Sequence, residues 1–291
     1  MATSRVQQLI TNVQATDEFL IEAVELNQAM ALRSVKKLQD RIIDLMKELD
    51  TKGGSLEGIK INLKQSQKIH KDMLALLEKE YGPEVLSMIS NFDDINKFIV
   101  RSWKDLGETA KYTGIDRTMM EVLRTTSYDQ FLVFGEDAVN RIAQGMYDSV
   151  IAGEKFSELV KTVRGVMVGH VDRAGRPMAQ YARQAAFDTT MNYHNEVNLQ
   201  KANDLGFNHY LYVGDIIKTT RPFCETRAGG VYTRGQITSW NRFNWQGKSG
   251  PAMTNRGGYN CRHHWRPVKP EWIPEGRIEV QSFNLENQQG T

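Results

Sequence analysis

From Ser4 to Asp50 the chain has neither glycine nor proline, and most of its residues are strong helix formers. Such a run predicts one long helix, because nothing within it supplies a turn. Ile21, Val24, Gln28, Ala31, Val35, Leu38, Ile42, Leu45 and Leu49 follow alternating steps of three and four, which places them along one seam. Gln28 interrupts that seam, and Val6, Leu9, Val13 and Leu20 lie on another stripe, so the segment is expected to bend or to change partners. Two readings stay open: a helical hairpin or bundle, and a coiled-coil arm for oligomerisation or for gripping a partner.

Lys52-Gly53-Gly54-Ser55 is the first break. A second helix, Leu56 to Tyr81, carries Ile59, Leu63, Met73 and Leu77 on one face and should return antiparallel to the first, with Gly82-Pro83 stopping it. A capped turn at Asn91 to Asp94, a helix from Ile95 to Lys111 anchored by Trp103, and a connection at Thr113 to Asp116 follow. Helical periodicity resumes at Met119 and runs to Met167 with a break at Gly153; Gly169 to Pro177 reads as a loop. Met178 to Leu205 is a polar helix closed by Gly206. Arg183, Asp188, Thr189, Asn192, Asn195 and Glu196 make its face either a solvated surface or a functional seam. Strands are expected at His209 to Gly214, after Gly229-Gly230 at Val231-Tyr232, and at Trp265 to Val268.

The predicted fold class is therefore α+β, a mainly helical N-terminal half followed by helices packed on a small sheet. The expected division is a helical arm over 1–112, a module over 113–270 with helices in 118–205 and the sheet in 207–268, and an extended tail over 271–291. A net charge of +2 announces no nucleic-acid binder, so any such role needs a local patch. No apolar run approaches a membrane span and the N-terminus is too polar for a secretory signal, so a cytoplasmic origin and no membrane partner are expected. Two cysteines are no disulfide framework.

Both of those cysteines lie between Asp215 and Val268, with three of the five tryptophans, a dense set of arginines and the adjacent His263 and His264. The order Thr220-Arg221-Pro222-Phe223-Cys224, Gly230-Val231-Tyr232-Thr233, Gly257-Gly258-Tyr259-Asn260-Cys261-Arg262-His263 and Pro267-Val268 resembles the C-terminal module of bacteriophage minor head proteins, the Mu F-like or head-morphogenesis family. The resemblance reaches upstream to about Asp137, while the first half matches only in being helical. It implies a non-enzymatic, low-copy head component, assembled in the bacterial cytoplasm and carried in the head interior. Portal and capsid or scaffold proteins would be its partners, and packaged DNA a further contact. Asp215, Arg221, Pro222, Cys224, Gly230, Tyr232, Gly257, Gly258, Asn260, Cys261, Arg262 and His263 form the structural motif it implies.

The same stretch admits chemical alternatives. A nuclease would use His263 and His264 as acid and base, with Arg221 and Arg262 gripping phosphate. A zinc site would draw on Cys224, Cys261, His263 and His264, the ligand types that zinc prefers. No Cys-x-x-Cys pair is present, and Thr226 or Arg227 and His263 stand where some relatives carry further cysteines. No cofactor is therefore expected, and the thiols are left to a close contact without metal or to independent burial. The arginines Arg221, Arg227, Arg234, Arg242, Arg256, Arg262 and Arg266, with Lys248, make the region locally basic, and its aromatics could stack on single strands.

Overall fold

A computed structural model describes residues 2–49, 51–56, 59–109, 111–169 and 176–273. The elements are α1 (Ala2–Met46), a hairpin of β1 (Thr51–Lys52) and β2 (Ser55–Leu56), α2 (Ile59–Leu76), a π-helical turn (Leu77–Tyr81), α3 (Gly82–Ser90), α4 (Phe92–Asp105), α5 (Gly114–Ala152), α6 (Phe156–Met167) and α7 (Met178–Asp204). The C-terminal module adds β3 (His209–Val213), α8 (Pro222–Glu225), β4 (Val231–Thr233), α9 (Arg234–Ser239), α10 (Ala252–Asn255) and β5 (His264–Val268). Long helices followed by a small antiparallel sheet, ordered β4-β3-β5, make the fold α+β as expected.

Two compact units divide the described residues, one drawn from Met1–Glu25, Asn91–Leu123 and Phe187–Thr291, the other from Leu26–Ser90 and Arg124–Ala186. This differs from the expected boundary at 112/113. The long helices α1, α5 and α7 each supply residues to both units, because an apolar stripe can serve one core along part of a helix and another core further on. The expected change of stripe is not found: Leu9, Val13, Thr16, Leu20, Val24, Asn27, Ala31 and Val35 are buried along one unbroken seam as α1 passes from one unit to the other. Leu20 and Val24 join Met191 in a buried cluster, and Asn12 Nδ2 donates to Ser102 O at 2.9 Å. The N-terminal segment is thus part of the sheet unit's core and not a separable arm.

In the second unit α2 returns along α1. The pairs Lys68–Glu48, Arg41–Glu80 and Lys37–Glu84 run in opposite senses along the two segments, as in an antiparallel hairpin, though exposed pairs of this kind contribute little stability. Gly53 and Gly54 turn the hairpin with φ of 59° and 85°. Gly82-Pro83 does not stop the helix. The π-helical turn lets Gly82 N–H reach Leu77 O, and the widened turn accommodates a proline that an α-helix would reject. Gly135 lies against that turn, where an added Cβ would stand 2.8 Å from Leu77 Cδ2.

In the sheet unit, β3 pairs with β4 through Tyr210↔Tyr232 and with β5 through Tyr212↔Trp265. Helix α4 begins at Phe92, and Asn91 makes no side-chain cap, so the capped turn expected at Asn91 to Asp94 is already helix. The connection expected at Thr113 to Asp116 is instead a reciprocal cap for α5, since Asp116 Oδ2 accepts from Thr113 N and Oγ1 while Asp116 N donates to Thr113 Oγ1 at 3.3 Å. Trp103 is buried edge-on to Phe207, with ring centroids 5.0 Å apart, and Gly206 closes α7 with φ of 75°. The expected tail begins with order: Trp272 is buried against Phe207, and the remainder, 274–291, lies outside the described residues, as does 170–175 of the expected loop.

Lys201 is a buried cation of this unit, donating to Asp116 Oδ2 at 2.6 Å, Lys111 O at 2.8 Å and Asp204 Oδ2 at 2.8 Å. Burial raises the Asp116 pKa, but the hydrogen bonds from Lys201 and Thr113 outweigh it and hold the carboxyl below its usual value. Lys201→Met is expected to cost about 3–5 kcal/mol in urea unfolding, because it strands a buried carboxylate. In the wild type this pair's contribution is present above the unfolded carboxyl value of 3.8 and is lost as pH falls below it. Asp116→Asn with Lys201→Met should recover part of the loss and remove that acid dependence.

Candidate functional site

The two signature segments meet behind β3. Arg221 is extended, as a residue before proline prefers, and Pro222 opens α8, which buries Phe223 and Cys224. The second segment turns sharply, with φ of 55° at Arg256, 101° at Gly258 and 54° at Asn260. Arg221 ties the two together, donating through Nη1 to Gly257 O at 3.3 Å and through Nη2 to Tyr259 O at 2.8 Å. Gly257 allows the approach: a Cβ there would lie 2.1 Å from Cys224 Sγ and 3.0 Å from Cys261 Sγ.

The thiols come together, the first of the two arrangements left open for them. Cys224 Sγ and Cys261 Sγ are 3.8 Å apart, both free and both buried. Tyr212 Oη stands 3.3 Å from the first and 3.6 Å from the second, Gly257 N–H donates to Cys261 Sγ at 3.3 Å, and His263 Nδ1 is 3.9 Å from the same sulfur. The His263 ring stacks on Tyr212 at 5.1 Å. A hydrogen bond from Cys224 makes Cys261 the more acidic thiol against the opposing effect of burial, while Cys224 is pushed up. Burial and the two thiols push the Tyr212 hydroxyl up as well.

His264 does not belong to this group. Its ring lies 5.7 Å from His194, edge to face, and its Nδ1 is 3.5 Å from Asp17 Oδ1. The metal-capable set among the described residues is Cys224, Cys261 and His263, without His264. The nuclease set fails to assemble for the same reason. His263 and His264 are buried with different neighbours, Arg221 is committed to backbone carbonyls, and Arg262 is exposed. His263 Nε2 is buried and has no hydrogen-bond partner among the described residues, so none of them orients the ring as a base beside Cys261.

The arginines are largely internal fittings. Arg227 is held between Phe223 at 4.1 Å and Trp240 at 4.4 Å. Arg256 donates to Met191 O at 3.2 Å and Asn192 Oδ1 at 2.6 Å, and Arg266 to Ser102 Oγ at 2.9 Å. Carbonyls, an amide and a hydroxyl thus accept from these two buried arginines. Asp188 accepts from Asn260 N at 2.6 Å, fixing the second turn.

Around His264 lies a buried polar chain that sequence reasoning did not find. Thr16 Oγ1 donates to Asn12 O at 2.8 Å, Ser102 Oγ donates to Asn12 Oδ1 at 2.9 Å, and Arg266 joins through Ser102. A groove of about 430 Å³ lined by Gln7, Thr11, Arg101 and Asp105 also reaches Asn12 and Ser102. Burial, with Arg266 and Arg256 nearby, pushes His194 down to about 3, and burial also pushes His264 well below the usual imidazole range. Burial lowers Arg266 to about 10, and burial with Asp215 and Glu18 raises Asp17 to about 7. Helical spacing could have placed Asn12 and Thr16 together, but no local signal links them to residues 102, 194 and 266.

Three substitutions test this arrangement. Gly257→Ala is expected to cost about 1–3 kcal/mol in urea unfolding, whereas Gly235→Ala, whose Cβ meets nothing within 4 Å, should be neutral or slightly stabilising. A carboxyl raised from 3.8 to about 7 is neutral in the fold at acid pH, so its contribution to stability falls as pH rises through that window. Asp17→Asn should therefore change stability little at pH 3 and raise it by about 1–3 kcal/mol at pH 8.

Compared with known proteins, the chain matches no family model, no curated protein and no solved structure.

Proposed function

We propose that this chain is a structural component of a tailed-phage head, a low-copy minor head or head-morphogenesis protein acting at the portal and inside the virion. The observation that carries the reading is the use of the signature residues as cross-links. Arg221, Gly257, Cys224 and Cys261 join two segments distant in sequence around a closed interior, in which His263 and His264 are both buried. A rigid module of this kind serves assembly. Portal and capsid or scaffold proteins are the partners that the resemblance implies.

DNA is a weaker partner. Of the arginines that make the region basic, Arg256 and Arg266 are buried and Arg227 is held by aromatic rings, while Arg242 and Arg262 are exposed. Contact with packaged DNA would rest on the exposed pair and would weaken steeply with salt.

Mass spectrometry of purified particles from a phage or induced prophage encoding the chain is expected to detect it in low copy relative to the coat protein. The full chain should also co-purify with the portal protein. Residues 2–25 must be kept, since Leu20 and Val24 are part of the core. Absence from the particles overturns the reading, and so does cleavage of plasmid, single-stranded DNA or RNA that His263→Gln abolishes.

A further inference from the structure

Donor atoms from three segments converge inside the module: Tyr212 from β3, Cys224 from α8, and Cys261 with His263 from the turn before β5. A tetrahedral zinc has bonds of about 2.3 Å to sulfur, about 2.0 Å to oxygen and about 2.0–2.1 Å to nitrogen. Those lengths give edges of about 3.8 Å between sulfurs, about 3.5 Å between sulfur and oxygen and about 3.6 Å between sulfur and nitrogen. The protein has 3.8 Å between its sulfurs, 3.3 and 3.6 Å from them to Tyr212 Oη, and 3.9 Å from Cys261 Sγ to His263 Nδ1. The ligand atoms of the two cysteines and His263 all lie within 4.8 Å of one another.

A contact between neutral thiols would require only the first of these distances. The four distances lie within about 0.3 Å of four of the six edges of one tetrahedron. Two further features fit an ion. Gly257 leaves its side-chain position to the sulfurs and directs its N–H at Cys261 Sγ, a donor suited to a thiolate. The site is buried, and a divalent ion with two thiolates carries no net charge, as burial demands.

We propose that Cys224, Cys261 and His263 bind a structural zinc ion, with the Tyr212 hydroxyl in the fourth place. Binding releases the two thiol protons, and the Tyr212 hydroxyl coordinates as the neutral phenol, so the dication and two thiolates leave the site without net charge. The ion cross-links the two signature segments, a task that a small sheet with few aliphatic residues cannot leave to packing alone. No zinc-knuckle spacing announces the site, because its ligands are brought together only by the fold. The proposal does not rest on the head-protein reading.

Tag-free full chain, purified under reducing conditions without chelator or added zinc, is expected to carry about one zinc per chain by elemental analysis. After stripping, titration with cobalt(II) should give thiolate-to-cobalt charge transfer in the near ultraviolet and the strong visible bands of a four-coordinate ion. Cys224→Ser and His263→Gln should lose the metal. Tyr212→Phe should retain the charge transfer and shift the visible bands; unchanged bands would remove Tyr212 from the ligand set. Folded, reduced wild-type protein with neither zinc nor a cobalt spectrum overturns the site. So does trace zinc removed by brief chelation with no cobalt spectrum. The wild-type measurement decides the matter even where a variant fails to fold.

Discussion

The open edge of β5 is the constraint around which the sheet unit is arranged. One side of this strand pairs with β3, and the outward main-chain groups of Trp265 are met by α7: Asn195 Oδ1 accepts from Trp265 N at 3.3 Å, and Asn198 Nδ2 donates to Trp265 O at 3.4 Å. A buried main-chain group without a partner costs about 1–3 kcal/mol, so a helix covering a strand edge must be polar where it touches it. That requirement explains why α7 buries Asn195 and Asn198. Of the residues expected on its polar face, Thr189 and Asn195 are buried, Asp188, Asn192 and Glu196 are half-buried, and Arg183 is exposed.

The segments attached to β5 inherit this placement. His263 is carried to the thiols and Tyr212, His264 to His194 and Asp17, and Arg266 to Ser102 and within 5.7 Å of the Trp103 ring. Burying so much polarity costs stability unless hydrogen bonds are made, and several atoms have none among the described residues, including Nε2 of His264 and Nε of Arg266. Neutral imidazoles are how the unit tolerates this. With His194 held far below its usual range, Arg266 is spared a second positive charge in the same interior.

The glycines of the signature segments act through space as much as through φ. Gly258 would place a Cβ 1.9 Å from Gly247 O, and Gly214 would place one 2.6 Å from the His263 ring. Each position combines positive φ with close approach of another segment, so two independent demands select the same residue. In the other unit Gly82 and Gly135 serve approach alone, against Tyr128 Oη and Leu77.

Much of the fold was legible locally. The absence of Gly and Pro fixed α1, Gly53-Gly54 fixed the first turn, Gly206 closed α7, and aromatic alternation marked β3. The readings that failed did so where a distant segment decided. Gly82-Pro83 continues as helix because a π-helical turn absorbs the proline, and the α1 seam takes Asn27 and Met46 where sequence spacing put Gln28 and Leu45. In the candidate site the cysteines and His263 could be named from sequence, but Tyr212 and the exclusion of His264 could not. Sequence by itself determined the helical and strand segments, the turn glycines and the inventory of thiols and imidazoles, because those follow from neighbours along the chain. Only the tertiary structure decided which donors share a pocket, which helix covers the edge strand, and that α1 serves two compact units. Those depend on which distant surfaces exclude water together, and local spacing carries no record of that.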